Sequence, residues 1–87
     1  MKQLTQEVFD SPDCPDWAES AAVNANGLAT WFDEKWQHLD IEGEWWGYAK
    51  NFQRSVGFRH AEIGHGYDTT NWENSAINKA SKPVDKC

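Results

Sequence analysis

Residues 18–32 read AESAAVNANGLATWF, and the fold turns on how this stretch is taken. Two short apolar runs without proline flank Asn26-Gly27. Asparagine and glycine accept the positive φ that tight hairpin turns require, so the pair predicts a β-hairpin over Ala18–Phe32. In the second run Leu28, Thr30 and Phe32 fall on one side, Ala29 and Trp31 on the other. The lead-in DSPDCPDW, residues 10–17, fits the same reading. Pro12 and Pro15 fix their own φ and keep Ser11 and Cys14 extended, so the chain enters the hairpin without starting a helix.

Outward from the hairpin the pattern weakens. Toward the N-terminus, Leu4, Val8 and Phe9 suggest either a brief strand or an arm packed on the domain. After Phe32 the stretch DEKWQHLDIEGE reads as a polar connection with Trp36, Leu39 and Ile41 as isolated anchors. EWWGYAK, residues 44–50, is expected to be a third strand, and NFQRSVGFRHAEIGHGYD one or two more joined by glycine turns. Thr70 and Glu73 have capping-box spacing, which predicts a helix of about two turns with Trp72, Ala76 and Ile77 on one face. The expected fold class is α+β, mainly β: a small antiparallel sheet of three to five short strands with one short C-terminal helix. Residues 1–77 form a single compact domain in this reading, and 78–87 a flexible tail.

Composition limits what such a domain can be. A chain of 87 residues buries only roughly 60–65% of its unfolded surface and has one core. Six tryptophans, four phenylalanines and two tyrosines compensate, since each aromatic buries about 150–250 Å². There is no apolar run long enough to span a bilayer, and MKQLTQEVFD has no apolar h-region, so a cytoplasmic protein with no membrane partner is expected. Charge is divided unevenly. Residues 1–44 carry two lysines and ten acidic residues, a net of −8; residues 45–77 balance at three and three; residues 78–87 carry three lysines and one aspartate, +2. The total of −6 disfavours direct nucleic-acid binding and favours a basic partner, although acidity also serves solubility.

Two blocks, FDSPDCPDWAESAAVNANGLATWF at residues 9–32 and NWENSAI at residues 71–77, resemble a group of small proteins encoded by bacteriophages and prophages. The shared pattern is a CPxWAxxAAVxxxG hairpin block and a C-terminal D-W-x-N-S-x-I box. Asn71 stands where that group usually has aspartate, and residues 33–67 show no match. The resemblance implies a phage or prophage origin and a bacterial host cytoplasm, and it brings no catalytic residues. Short acidic phage products commonly act on host components such as CRISPR or restriction nucleases, which is an association by class.

Chemistry-bearing motifs are sparse. His38 with Asp40, or His60 and His65 with Glu62, supply acid–base residue types without any pattern that orients them. No nucleophile elbow, HExxH or phosphate-binding loop is present, so a non-enzymatic protein is expected. Cys14, His60, His65 and Cys87 lack metal-ligand spacing, and no metal or cofactor is expected. A Cys14–Cys87 disulfide would suit an oxidising compartment, which nothing else suggests; Cys14 reads as a small buried apolar residue.

The aromatic surplus is the more informative feature. Trp17, Trp31 and Trp72 sit in patterned blocks and are expected in the core. Trp45 and Trp46 are adjacent, so in a strand their side chains point to opposite faces and one of them, or Trp36, is exposed. Combined with the charge division, this nominates a partner-binding surface of Asp10, Asp13, Asp16, Glu19, Asp33, Glu34, Trp36, Trp45 and Trp46. The expected function is inhibition or modulation of a host protein, with a basic nucleic-acid-binding enzyme as the candidate partner and mimicry of DNA as one mode. The alternative is a small ligand- or carbohydrate-binding module using Trp45, Trp46 and Tyr48. A homodimer that covers the outer aromatics is a further expectation.

Overall fold

The computed structural model describes residues 2–49 and 58–80. Among these residues six strands form two antiparallel sheets. The strands are β1 (Ser20–Val23), β2 (Ala29–Phe32), β3 (Leu39–Glu42), β4 (Trp45–Tyr48), β5 (His60–Gly64) and β6 (Ile77–Asn78). The larger sheet has the order β5-β2-β1-β6, and β3 pairs only with β4.

The hairpin is present, with Val23 opposite Ala29 and Ser20 opposite Phe32. Its loop runs from Asn24 to Leu28, closed by Gly27 N–H to the Asn24 carbonyl at 2.9 Å and by Leu28 N–H to Asn26 Oδ1 at 3.0 Å. Gly27 is required twice over. Its φ is +87°, and a Cβ there would meet the Tyr67 carbonyl oxygen at 3.2 Å. That close approach lets Tyr67 N–H donate to the Gly27 carbonyl, tying the hairpin loop to the segment after β5.

All eight residues of β1 and β2 are buried, because both faces of this sheet are covered. On one face Ala21 and Trp31 pack with Val8, Phe9 and Ala18, with Leu4, Cys14, Trp17, Ala61, Ile63 and Ile77 around them. On the other, Ala22 and Phe32 pack against Leu39, with Trp46, Tyr48 and Ala76. β1 is a central strand between β2 and β6 and is covered above and below. That position explains alanine at 21 and 22, both 0% exposed: a larger side chain would be forced into packed neighbours.

The stretch expected to be a polar connection contains β3, which pairs with β4 in the register Leu39↔Tyr48 and Glu42↔Trp45. Gly43-Glu44 is its two-residue turn, and Gly43 has a φ of +66°, as glycine does at the first position of a II′ turn. Leu39 is buried while Asp40 and Glu42 are exposed, so the alternation is real but short. The N-terminal segment packs as an arm. It makes a 3-10 turn over Gln6–Asp10 and a single parallel bridge, Lys2 to Tyr67.

Near the C-terminus the helix is one 3-10 turn, Trp72–Asn74, shorter than the two turns expected from Thr70. The capping box does not form. The Thr70 hydroxyl donates to Asp68 Oδ1 at 2.7 Å, and the Thr70 N–H donates to the same oxygen at 2.9 Å. The aspartate takes the local bonds that the box would have used. The chain is also ordered past residue 77. Asn78 belongs to β6, Lys79 N–H donates to the Glu19 carbonyl, and Gln6 bridges the strand edge through Asn78 O and Ala80 N–H. Residues 78–80 thus meet the edge of the sheet, while 81–87, the rest of the expected tail, lie outside the described residues. The expected strand character of Phe52–Val56 also falls outside them.

Candidate functional site

The strand pairing places four side chains on one face of the sheet. Thr30 lies opposite Glu62 and Phe32 opposite His60, so period-two alternation directs all four to the side where β3 and β4 pack. β4 is held over this face by three bonds. Trp46 N–H donates to Asn24 Oδ1 at 2.8 Å, Ala25 N–H to the Glu44 carbonyl at 2.9 Å, and Trp46 Nε1–H to the Trp72 carbonyl at 3.1 Å. At the other end of β4 the Tyr48 hydroxyl lies 2.7 Å from Asp33 Oδ1 and 2.6 Å from the Arg59 carbonyl. Tyr48 meets Phe32 edge-on at 5.7 Å and stacks on Phe58 at 3.9 Å.

Between β4 and the β2–β5 face runs an open-sided cleft of about 370 Å³, lined by the rings of Phe32, Trp45, Trp46 and Tyr48 and by Asn24, Asn26, Leu28, Thr30, Gly47, His60 and Glu62. Trp45 stands at its rim, 61% exposed. Trp46, the next residue, is half-buried, so the adjacent pair divides between surface and interior. Among the described residues, the side chains of Thr30, His60 and Glu62 have no hydrogen-bond or ion-pair partner. No lysine or arginine lines the cleft among the described residues.

Six of the nine nominated contact residues separate into two groups along β1. Trp36 N–H donates to Asn78 Oδ1, and Asn78 pairs with Ser20. Trp36, 41% exposed, thus lies at the Ser20 end with Glu19, Asp33 and Glu34. Trp45 and Trp46 lie at the Asn24 end, four residues on, roughly 13 Å at strand rise. Asp10, Asp13, Asp16 and Glu19 are exposed, whereas Asp33 and Glu34 are half-buried. Asp33 accepts from the Tyr48 hydroxyl and, through Oδ2, from Arg59 N–H at 3.0 Å. Glu34 Oε1 lies 3.0 Å from His38 Nδ1. Asp33 thus ties β4 and Arg59 to the end of β2, while Glu34 makes a local contact with His38.

Cys14 is half-buried beside the first core cluster. Burial pushes its thiol pKa up; Lys79 opposes this, and Asp16 and Asp10 add to it. The thiol is thus poor as a nucleophile. No three His, Cys, Asp or Glu side chains among the described residues converge as a metal site. No helix among those residues is long and apolar enough to cross a membrane.

Of the cleft, the sequence singled out Trp45, Trp46 and Tyr48 and missed Asn24, Asn26, Thr30 and the pairing of His60 with Glu62 on one face. Alternation in HAEIG does put His60 and Glu62 together, but only the β2–β5 register shows what they face. In the C-terminal block NWENSAI several residues are structural. Ser75 accepts from Val23 N–H at 2.8 Å, Trp72 packs beside Val23, Ala29 and Tyr67, and Ile77 joins the first cluster. No protein-family model matches the chain, and no curated protein or solved structure is similar to it.

Proposed function

We propose that this chain is a non-enzymatic binding protein of phage type that engages a host protein and inhibits or modulates it, with the aromatic cleft as the contact site. The observation that carries the reading is Trp45: a large ring, 61% exposed, fixed at the rim of a cleft by a strand whose other side chains are packed. An exposed tryptophan beside a desolvated pocket is the arrangement found at binding hot spots. The net charge of −6 favours a basic partner and speeds the encounter, while the rings prolong residence. A nucleic-acid-binding defence enzyme belongs to that class of partner. The acidic lead-in, Asp10, Asp13, Asp16 and Glu19, supplies field at the opposite end of β1 and shares that region with Lys79, which supports steering more than imitation of a phosphate backbone.

Affinity capture from host lysate tests the proposal, with wild type and Trp45→Ala as paired baits. A basic protein retained by wild type, released by salt and lost from Trp45→Ala is the expected outcome. Equal retention by both baits sinks the assignment of the contact to the cleft. A second reading, a carbohydrate-binding module, is favoured by the polar side chains of Asn24, Asn26, Thr30, His60 and Glu62 beside the rings. Fluorescence shifts with neutral glycans that disappear in Trp45→Ala would favour it.

A further inference from the structure

The cleft has a chemistry more specific than apolar contact, and we infer that it receives an arginine side chain of the partner protein. This inference rests on the proposal that the cleft binds a protein. Four rings, Phe32, Trp45, Trp46 and Tyr48, share one space with a single carboxylate, Glu62, and with no described lysine or arginine. Aromatic faces are electron-rich and attract cations. Among the described residues Glu62 has no ion pair or hydrogen bond to give up when a cation arrives, and Thr30, its cross-strand neighbour, offers a hydroxyl equally without a described partner. Glu44, which precedes Trp45, is exposed and adds to the negative field.

No lysine or arginine among the described residues lines the cleft to hold an anion. Among cations, three features select the guanidinium. Its plane stacks on an indole face, its fork of N–H groups matches a carboxylate two-to-two, and it is less strongly hydrated than an ammonium. A quaternary ammonium would be attracted by the Glu62 charge but has no N–H to donate to it. The cleft is open along one side and holds about 370 Å³, which suits a side chain inserted while its backbone passes outside. In this arrangement Trp45 at the rim provides the stacking face, Trp46 lines the cleft from its packed side, and Glu62 is the ligand for the guanidinium.

The test uses Nα-acetyl-arginine methylamide, its citrulline and lysine counterparts, and a neutral oligosaccharide. Each is titrated at millimolar concentration into the full chain while amide and indole NMR signals are followed. Arginine should shift the Trp45 and Trp46 indoles and the Thr30 and Glu62 amides together, and bind more tightly than lysine. Citrulline keeps the shape and loses the charge, so it should bind about tenfold more weakly or less. Glu62→Gln should lower arginine affinity by about tenfold, and Trp45→Ala by about fivefold, with both variants showing the wild-type amide spectrum elsewhere. Equal binding of citrulline, arginine shifts confined to other residues, or no arginine shift at all would overturn the inference. So would shifts with the oligosaccharide alone. Partner capture that depends on Trp45 while arginine fails would leave the protein-binding proposal standing and remove only the guanidinium.

Discussion

Replacing Ser75 by alanine should destabilise the domain strongly for so small a change. The pairing of β1 with β6 stops at Ala21↔Ile77, and the next donor on that edge of β1 is Val23 N–H. Ser75 Oγ accepts it at 2.8 Å, and the hydroxyl lies 2.7 Å from the Trp72 carbonyl. A side chain thus continues the ladder where the backbone of the last strand has turned away. Val23 is 1% exposed, so no solvent replaces the lost acceptor. Leaving a buried N–H unpaired costs about 1–3 kcal/mol. At about 4–8 °C per kcal/mol for a domain of this size, the midpoint value lowers Tm by about 8–16 °C. Thermal and urea unfolding of Ser75→Ala, with the exposed neighbour Asn74→Ala as control, measure this. Asn74→Ala should stay within about 0.5 kcal/mol. A Ser75→Ala loss no larger than that of the control would refute the reasoning, and would move the asparagine-serine box from folding toward binding.

Gly27→Ala should cost about 2–3 kcal/mol, because alanine must adopt positive φ and push against the Tyr67 carbonyl; urea denaturation reads it, and a change under 1 kcal/mol would contradict the role given to the turn. Trp31 is 3% exposed, and its Nε1 has no acceptor. Trp31→Phe should therefore lose less than about 1.5 kcal/mol, since it removes an unsatisfied donor along with some packing, while Trp31→Ala should lose about 3–5 kcal/mol. Equal losses in the two variants would count against that account. Asp68 is held at a pKa of about 2 by the Gln3 side-chain amide, then by the Thr70 N–H and hydroxyl. Its folded pKa lies below its ordinary value of 3.8, so its contribution is present above that value and is lost as pH falls through about 2. Asp68→Asn should flatten the acid side of the stability profile, and an NMR titration placing Asp68 at an ordinary carboxylate value would remove the basis for it.

Much of the fold was legible because the hairpin is encoded locally. Gly27 permits the turn, the flanking runs carry β-compatible residues, and the lead-in avoids a helix, although it does so through turns and not as the extended entry expected: Cys14 N–H donates to the Ser11 carbonyl and Ala18 N–H to the Pro15 carbonyl. The strand pair β3–β4 was less visible, since only Leu39 and Ile41 mark its inner side between charged residues, and a pattern so short resembles a loop with anchors. The C-terminal helix was overread because Thr70 and Glu73 have the spacing of a capping box, and spacing alone does not show that Asp68 captures the threonine first.

The candidate site divides in the same way. Adjacency in sequence was enough to separate Trp45 from Trp46, since neighbours in a strand face opposite sides. Charge order along the chain was enough to show an acidic first half. By itself the sequence determined the hairpin, its glycine and the surplus of aromatic rings, because these depend on φ, alternation and composition, which act within a few residues. Only the tertiary structure decided that Thr30 faces Glu62, that Asp33 and Glu34 are held by Tyr48 and His38, and that Trp36 and Trp45 lie at opposite ends of β1. Those facts follow from strand register and from contacts between residues distant in sequence, where the packing of both sheet faces, and no local preference, fixes which side chains meet.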